Sequence, residues 1–284
     1  VVNAEEALQP DAPQLHDTVP NNLNQYISHG NKQATEQAIA NAEVVVKQRF
    51  RYQRAIHNPV ELRASIGDYN PETEEYTLWT NTQIPHGNRF LLSQLVMGIP
   101  YNKLRVIAPH IGGGFGSKGY LYPDTALVLF LSKELGQPVK WVDTRRGLAR
   151  STVQARDQIQ YVTIAGTTDG QITALHCTNY ANLGAYPATN GPGAPAILTG
   201  CSITGVYAIA HPFYEVYCTF TNLVPNGPAR GAGRAEAMFL IERMVDLFAQ
   251  RIGIDPAEVR RKNMVAADRF PYKNGLGWTY DYGN

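Results

Sequence analysis

The sequence predicts an α+β fold, with mixed sheets built on long hairpins and helices flanking them. Two observations carry this. Residues 158–186, "QIQYVTIAGTTDGQITALHCTNYANLGAY", alternate apolar and polar positions on both sides of Asp169-Gly170, which is the pattern of a long hairpin. Separate stretches at 123–136 and 235–253 repeat their apolar residues at helical spacing.

Taken in order, residues 1–31 are rich in Pro, Asn, Asp and His and read as an extended tail or linker. "ATEQAIANA" (34–42) has helical composition. From Glu43 onward, "VVVKQRFRYQ", "ASIGDYN" and "EYTLWTNTQ" read as strands. "NRFLLSQLVMG" (88–98) fits a helix closed by Gly98, and "KLRVIAPHI" (103–111) a strand. Pro123 suits the first turn of the next helix and Gly136 its exit. "PVKWVD" (138–143) reads as a buried strand. Beyond the hairpin lies a Gly/Pro/Ala-rich passage (187–200), then a strand (214–222) and a loop (223–234). The long amphipathic helix closes at Gly253, and "DPAEVRRKN" begins with an Asp cap and a proline. Residues 1–42 are expected as the linker or tail of a preceding domain. The opening Val1 and the close in "NGLGWTYDYGN" are read as cuts.

Bulk properties narrow the function. The chain has 284 residues, 44% hydrophobic, with 25 Lys+Arg against 24 Asp+Glu, so nothing favours nucleic acid or an anionic membrane surface. No apolar run reaches membrane-span length. Cys177, Cys201 and Cys218 are too scattered for a disulfide framework. They are expected as small buried hydrophobes in the reducing cytoplasm. The seven histidines show no zinc-helix spacing.

Chemistry is concentrated in "IGGGFGSKG" (111–119), where four glycines surround Phe115. Gly114, Gly116 and Gly119 form a formal G-x-G-x-x-G, with Asp143 placed as a ribose acceptor. A nicotinamide-dependent dehydrogenase is therefore one reading. Against it, Pro123 would fall inside the dinucleotide helix. A helix starting at Pro123 instead leaves too long a loop. A non-catalytic module using the glycines only as turns is another reading. A second loop, "GPARGAGR" (227–234), also joins a strand to a helix and adds Arg230 and Arg234. Two such loops suit a polyanionic cofactor.

In order and spacing, "WTNTQIPH", "RVIAPHIGGGFGSK", "NLGAY" and "ARGAGRAEA" resemble the large subunit of the molybdenum hydroxylases. That family includes xanthine dehydrogenase, aldehyde oxidoreductase and aerobic carbon monoxide dehydrogenase. The resemblance implies that 43–272 is a first molybdopterin-binding domain and 273–284 the start of a second. It implies molybdopterin in the cytosine dinucleotide form, carrying molybdenum. Gln83, Gly113, Gly114, Phe115, Gly116 and Arg230 would hold it, with Gln83, Phe115 and Arg230 catalytic and no protein ligand on the metal. The implied reaction hydroxylates an aldehyde or N-heterocycle with water as oxygen source. Electrons would pass to 2Fe–2S and FAD on an iron–sulfur small subunit and an FAD-binding medium subunit, in a dimer of heterotrimers. The implied copper-binding cysteine of the carbon monoxide enzymes has no counterpart, since Gly231 follows Arg230. The purine enzymes' glutamate after the loop lysine is replaced by Gly119. The general-base glutamate is expected beyond residue 284, and the fragment is expected to be inactive alone.

Overall fold

A computed structural model describes residues 1–189 and 191–283. Asn190, within the Gly/Pro/Ala-rich passage, and Asn284 lie outside the described residues. In chain order the elements are β1 (Leu23–Gly30), α1 (Lys32–Ala40), β2 (Val44–Ala55), β3 (Ala64–Asn70), β4 (Glu75–Thr80) and α2 (Pro85–Phe90). They continue with β5 (Leu104–Ile107), α3 (Pro123–Leu135), β6 (Val139–Val142), α4 (Arg145–Ser151), β7 (Ala155–Gly166) and β8 (Ile172–Gly184). The last are α5 (Gly200–Ser202), β9 (His211–Phe220), α6 (Arg234–Ile252), α7 (Pro256–Asn263), β10 (Tyr272–Lys273) and β11 (Thr279–Tyr280). The α+β expectation holds.

The chain divides into two compact units, 1–55 with 155–284 and 56–154. In the first, the sheet order is β1-β9-β8-β7-β2. The β7–β8 hairpin is antiparallel and β8 pairs with β9 in parallel, so the sheet is mixed. One sheet face carries the core. Leu240, Ile241, Met244, Val245 and Phe248 of α6 are fully buried against Val162, Ile164, Leu175 and Val216. Burial of this kind supplies most of the stability of a helix–sheet layer. Cys177, Cys201 and Cys218 are free and buried, the first and last in the core with this layer. Burial raises the Cys218 thiol to about 12.

The second unit is a four-stranded sheet, β5-β4-β3-β6, covered by α3. The covering needs Gly67. A Cβ there would stand 2.5 Å from the backbone oxygen of Val128, so only glycine lets α3 lie this close. Leu78, Leu92, Leu104 and Leu129 fill the layer between.

Four local readings change. Residues 23–30, expected within an extended tail, form edge strand β1, paired to β9 from Leu23↔Thr219 to Gly30↔Phe213. The strand expected over 103–111 stops at Ile107, because Pro109 cannot donate to a ladder. The helix expected at 88–98 begins at Pro85 and becomes a π-turn over Leu91–Val96, with Gly98 in the left-handed region at its end. Helix α4 was not expected. Its signal is Thr144, whose hydroxyl accepts from Gly147 N–H at 2.9 Å. Thr144→Ala should lower unfolding free energy by about 1 kcal/mol in urea titration, the usual cost of a lost N-cap.

Candidate functional site

The glycine loop is a pair of tight turns. Ser117 N–H donates to Gly114 O at 2.9 Å, and Gly119 N–H to Gly116 O at 3.0 Å. Tyr120 to Tyr122 then intervene before α3 starts at Pro123. The loop amides are therefore not those of a helix N-terminus. Turning twice puts Gly113 at φ 90°, Phe115 at 53° and Gly116 at 112°. A left-handed phenylalanine is strained, typically by about 1–3 kcal/mol, and such strain gathers at functional sites. Phe115 remains 47% exposed. A Cβ on Gly113 would meet its ring at 3.2 Å.

Gln83 joins this loop from the end of β4. Its Oε1 accepts from Gly116 N–H at 3.0 Å. A Cβ on Gly114 would run into the same carboxamide, so any side chain there would displace Gln83 from the loop. The backbone is fixed too, since Gln83 N–H donates to Lys118 O at 2.9 Å. With Oε1 committed to the loop, the amide NH2 has no partner among the described residues. It stands as an outward-facing donor, and an amide offers no proton sink. The structure thus brings Gln83, Gly114 and Gly116 together, with Gly113 and Phe115 beside them.

A clamp that sequence reasoning missed holds the loop shut. The Lys118 side chain is 1% exposed, and its Nζ lies 2.5 Å from Glu61 Oε2. The same oxygen accepts from Gly112 N–H at 2.9 Å. Burial works to raise the Glu61 carboxyl. The Lys118 ammonium and the Gly112 amide outweigh it and hold the carboxyl below its ordinary value. Glu61 and Lys118 are 57 positions apart in the chain, so no local pattern marks the pair.

Arg230 lies in the other unit and is exposed there. Its loop reverses through Gly231 at φ 103°, Ala232 at 44° and Gly233 at 90°, and α6 follows at Arg234. The loop is braced by Arg156, another residue the sequence did not reveal. Arg156 pairs with Glu236 of α6 at 2.5 Å and donates to Arg230 O at 3.0 Å. Arg156 itself sits in the left-handed region at φ 70°.

The dinucleotide geometry is absent. Helix α3 begins at Pro123, clear of Gly114, Gly116 and Gly119. Asp143 is turned inward: Oδ1 accepts from Thr144 N–H at 2.8 Å and Oδ2 lies 3.4 Å from Arg63. At 7% exposure this carboxylate is out of reach of a ribose.

Residues 15–264 match the molybdopterin cofactor-binding domain model. The chain belongs to this family. It is 37% identical to the carbon monoxide dehydrogenase large chain of Hydrogenophaga pseudoflava, over 100% of this chain and 37% of that one. Among solved structures it resembles reconstituted CO dehydrogenase from Oligotropha carboxidovorans (TM-score 0.95, 35% identity, 100% of this chain, 37% of the other). It is also similar to quinoline 2-oxidoreductase from Pseudomonas putida 86 (TM-score 0.92, 30% identity, 99% and 36%). The chain therefore spans about a third of the length of these relatives. Molybdopterin, a large planar group with an anionic tail, fits what the loop offers. An outward amide at Gln83 and an exposed ring at Phe115, seated against Gly114 and Gly113, suit contact with such a group. Among the described residues, no group of three His, Cys, Asp or Glu side chains could hold a metal ion directly. Among the same residues, no helix is long and apolar enough to cross a membrane.

Proposed function

We propose that this chain is the cofactor-cradling part of the large subunit of a molybdenum hydroxylase. The full enzyme hydroxylates an aldehyde or N-heterocycle, taking its oxygen from water. The observation that carries this is the Gly116 N–H to Gln83 Oε1 hydrogen bond at 3.0 Å. It fixes an amide donor beside a loop stripped of side chains. When bound, the molybdenum cofactor would supply the two-electron oxidation. The chain's own residues bind, orient and polarise. Gln83 donates from its amide nitrogen to an oxygen on the cofactor's face. Gly113, Gly114 and Gly116 let the group approach the main chain. Phe115 walls it from water, and Arg230 donates as a permanent cation to cofactor or substrate. Preorganised donors of this kind act with little reorganisation during reaction.

The cytosine dinucleotide form of the pterin is part of the proposal. So are an iron–sulfur small subunit and an FAD-binding medium subunit, a dimer of heterotrimers, and a cytoplasmic setting. Residues 43–272 would form the first cofactor-binding domain and 273–284 begin the second, which would supply the general base. Carbon monoxide is placed outside the substrates. The arginine loop has no thiol, and Cys177, Cys201 and Cys218 are buried. The test is metal and nucleotide analysis of the full-length protein, with turnover assayed on N-heterocycles, aldehydes and carbon monoxide. Molybdenum with heterocycle or aldehyde turnover is expected. A protein free of molybdenum that binds NAD would overturn the proposal.

A further inference from the structure

The 56–154 unit carries a groove of about 550 Å³ unrelated to the glycine loop, between β4, β5 and the start of α2. Arg89, Lys103 and Arg105 line it, together with His86; the lining holds one carboxylate, Glu75. Two of the cations are pinned by neutral groups. Arg89 Nε and Nη2 both donate to Tyr101 O, at 3.2 and 2.9 Å, and its guanidinium lies 3.9 Å from the Tyr101 ring centroid. Lys103 Nζ donates to Thr73 O at 2.7 Å. Among the described residues, none of Arg89, Lys103 and Arg105 forms an ion pair, although most buried and half-buried carboxylates elsewhere have cation partners. Three cations thus face one carboxylate across the groove, and positive charge is in excess there.

The backbone adds a second feature. β5 is the edge of its sheet and pairs only with β4, from Tyr76↔Leu104 to Trp79↔Ile107. Its outward row of N–H and C=O groups has no strand partner among the described residues. Charged residues often guard such an edge against stray pairing, and that would account for Arg105, which lies on β5. It does not account for a concave site, nor for Arg89, which lies on a helix and is locked in place by Tyr101.

We propose that this groove docks an extended acidic segment of a partner chain. The segment adds a strand along β5 while its carboxylates meet Arg89, Lys103 and Arg105. The match is one of charge and backbone geometry, and it does not depend on the molybdenum reading.

The test uses the full-length protein and a fluorescein-labelled peptide alternating glutamate with valine, followed by anisotropy. Its lysine–valine counterpart is the control. Binding of the acidic peptide is expected, weakening as salt is raised. The K103E/R105E double variant should weaken it at least about tenfold, as expected when close charge pairs turn repulsive. Lys140→Glu, an exposed charge change on the same unit but outside the groove, should leave it unchanged. Arg105→Gln is the milder variant should the reversal disturb folding. The proposal fails if both peptides bind alike, if Lys140→Glu weakens binding as much as the double variant, or if tripolyphosphate competes as well as the peptide. The last outcome would make the groove a site for free anions.

Discussion

Gln83→Ala in the full-length protein should lower turnover about 100-fold while leaving yield and thermal midpoint nearly unchanged. The magnitude is that of removing one preorganised donor from a reacting centre. The small stability effect follows from position. Gln83 is exposed, and its side chain makes one hydrogen bond, to Gly116 N–H. Losing such a bond at the surface costs about 1 kcal/mol or less. Gln83→Glu separates donor from spacer. A carboxylate can still accept from Gly116 N–H but can no longer donate outward. Its turnover should fall with that of the alanine variant, whereas loop exchange rates should stay at the wild-type level. Unchanged turnover in Gln83→Ala would remove the site assignment.

Glu61→Gln is expected to cost about 3 kcal/mol of unfolding free energy, measured by denaturant titration. The variant keeps the size of the side chain and removes its charge. It leaves the Lys118 ammonium, 1% exposed, without a counter-ion. Removing one partner of a buried pair typically costs about 3–5 kcal/mol; the partial exposure of Glu61 places this case at the lower end. The pH dependence has a definite sign. The folded Glu61 carboxyl lies below its ordinary value of 4.5. Its contribution is fully present above that ordinary value and is lost as pH falls through the lower folded one. Wild type and Glu61→Gln should therefore differ at neutral pH and converge in acid. Amide exchange over 112–117 should rise in the variant, because a neutral amide oxygen accepts more weakly from Gly112 N–H than the carboxylate and no longer neutralises Lys118. Equal stabilities at neutral pH would show that the clamp carries no weight.

Much of the fold could be read locally. The Asp169-Gly170 turn, the Pro123 start and the Gly136 and Gly253 exits each depend on a few adjacent residues, and backbone conformation at such positions is set by local sterics. β1 escaped because its inward positions, Leu23, Gln25, Ile27 and His29, are only half-buried and half polar. An edge strand with so weak an alternation resembles a polar tail. The unexpected α4 had a cap, Thr144, but only Leu148 of its seven residues is buried, too little for a helical stripe.

The same division runs through the candidate site. By itself the sequence marked the candidates for chemistry: the glycines around Phe115, the Gln83 segment and the Arg230 loop, each a short motif whose residue types follow from backbone freedom or donor capacity. Tertiary structure decided how they are held. Gln83 meets Gly116 across 33 positions, Glu61 meets Lys118 across 57, and Arg156 reaches Arg230 across 74. Contacts at that separation depend on the packing of β4, β7 and α6 around two cores. No pattern in a single stretch of chain encodes them, because chain distance and spatial distance are unrelated once the sheets have closed.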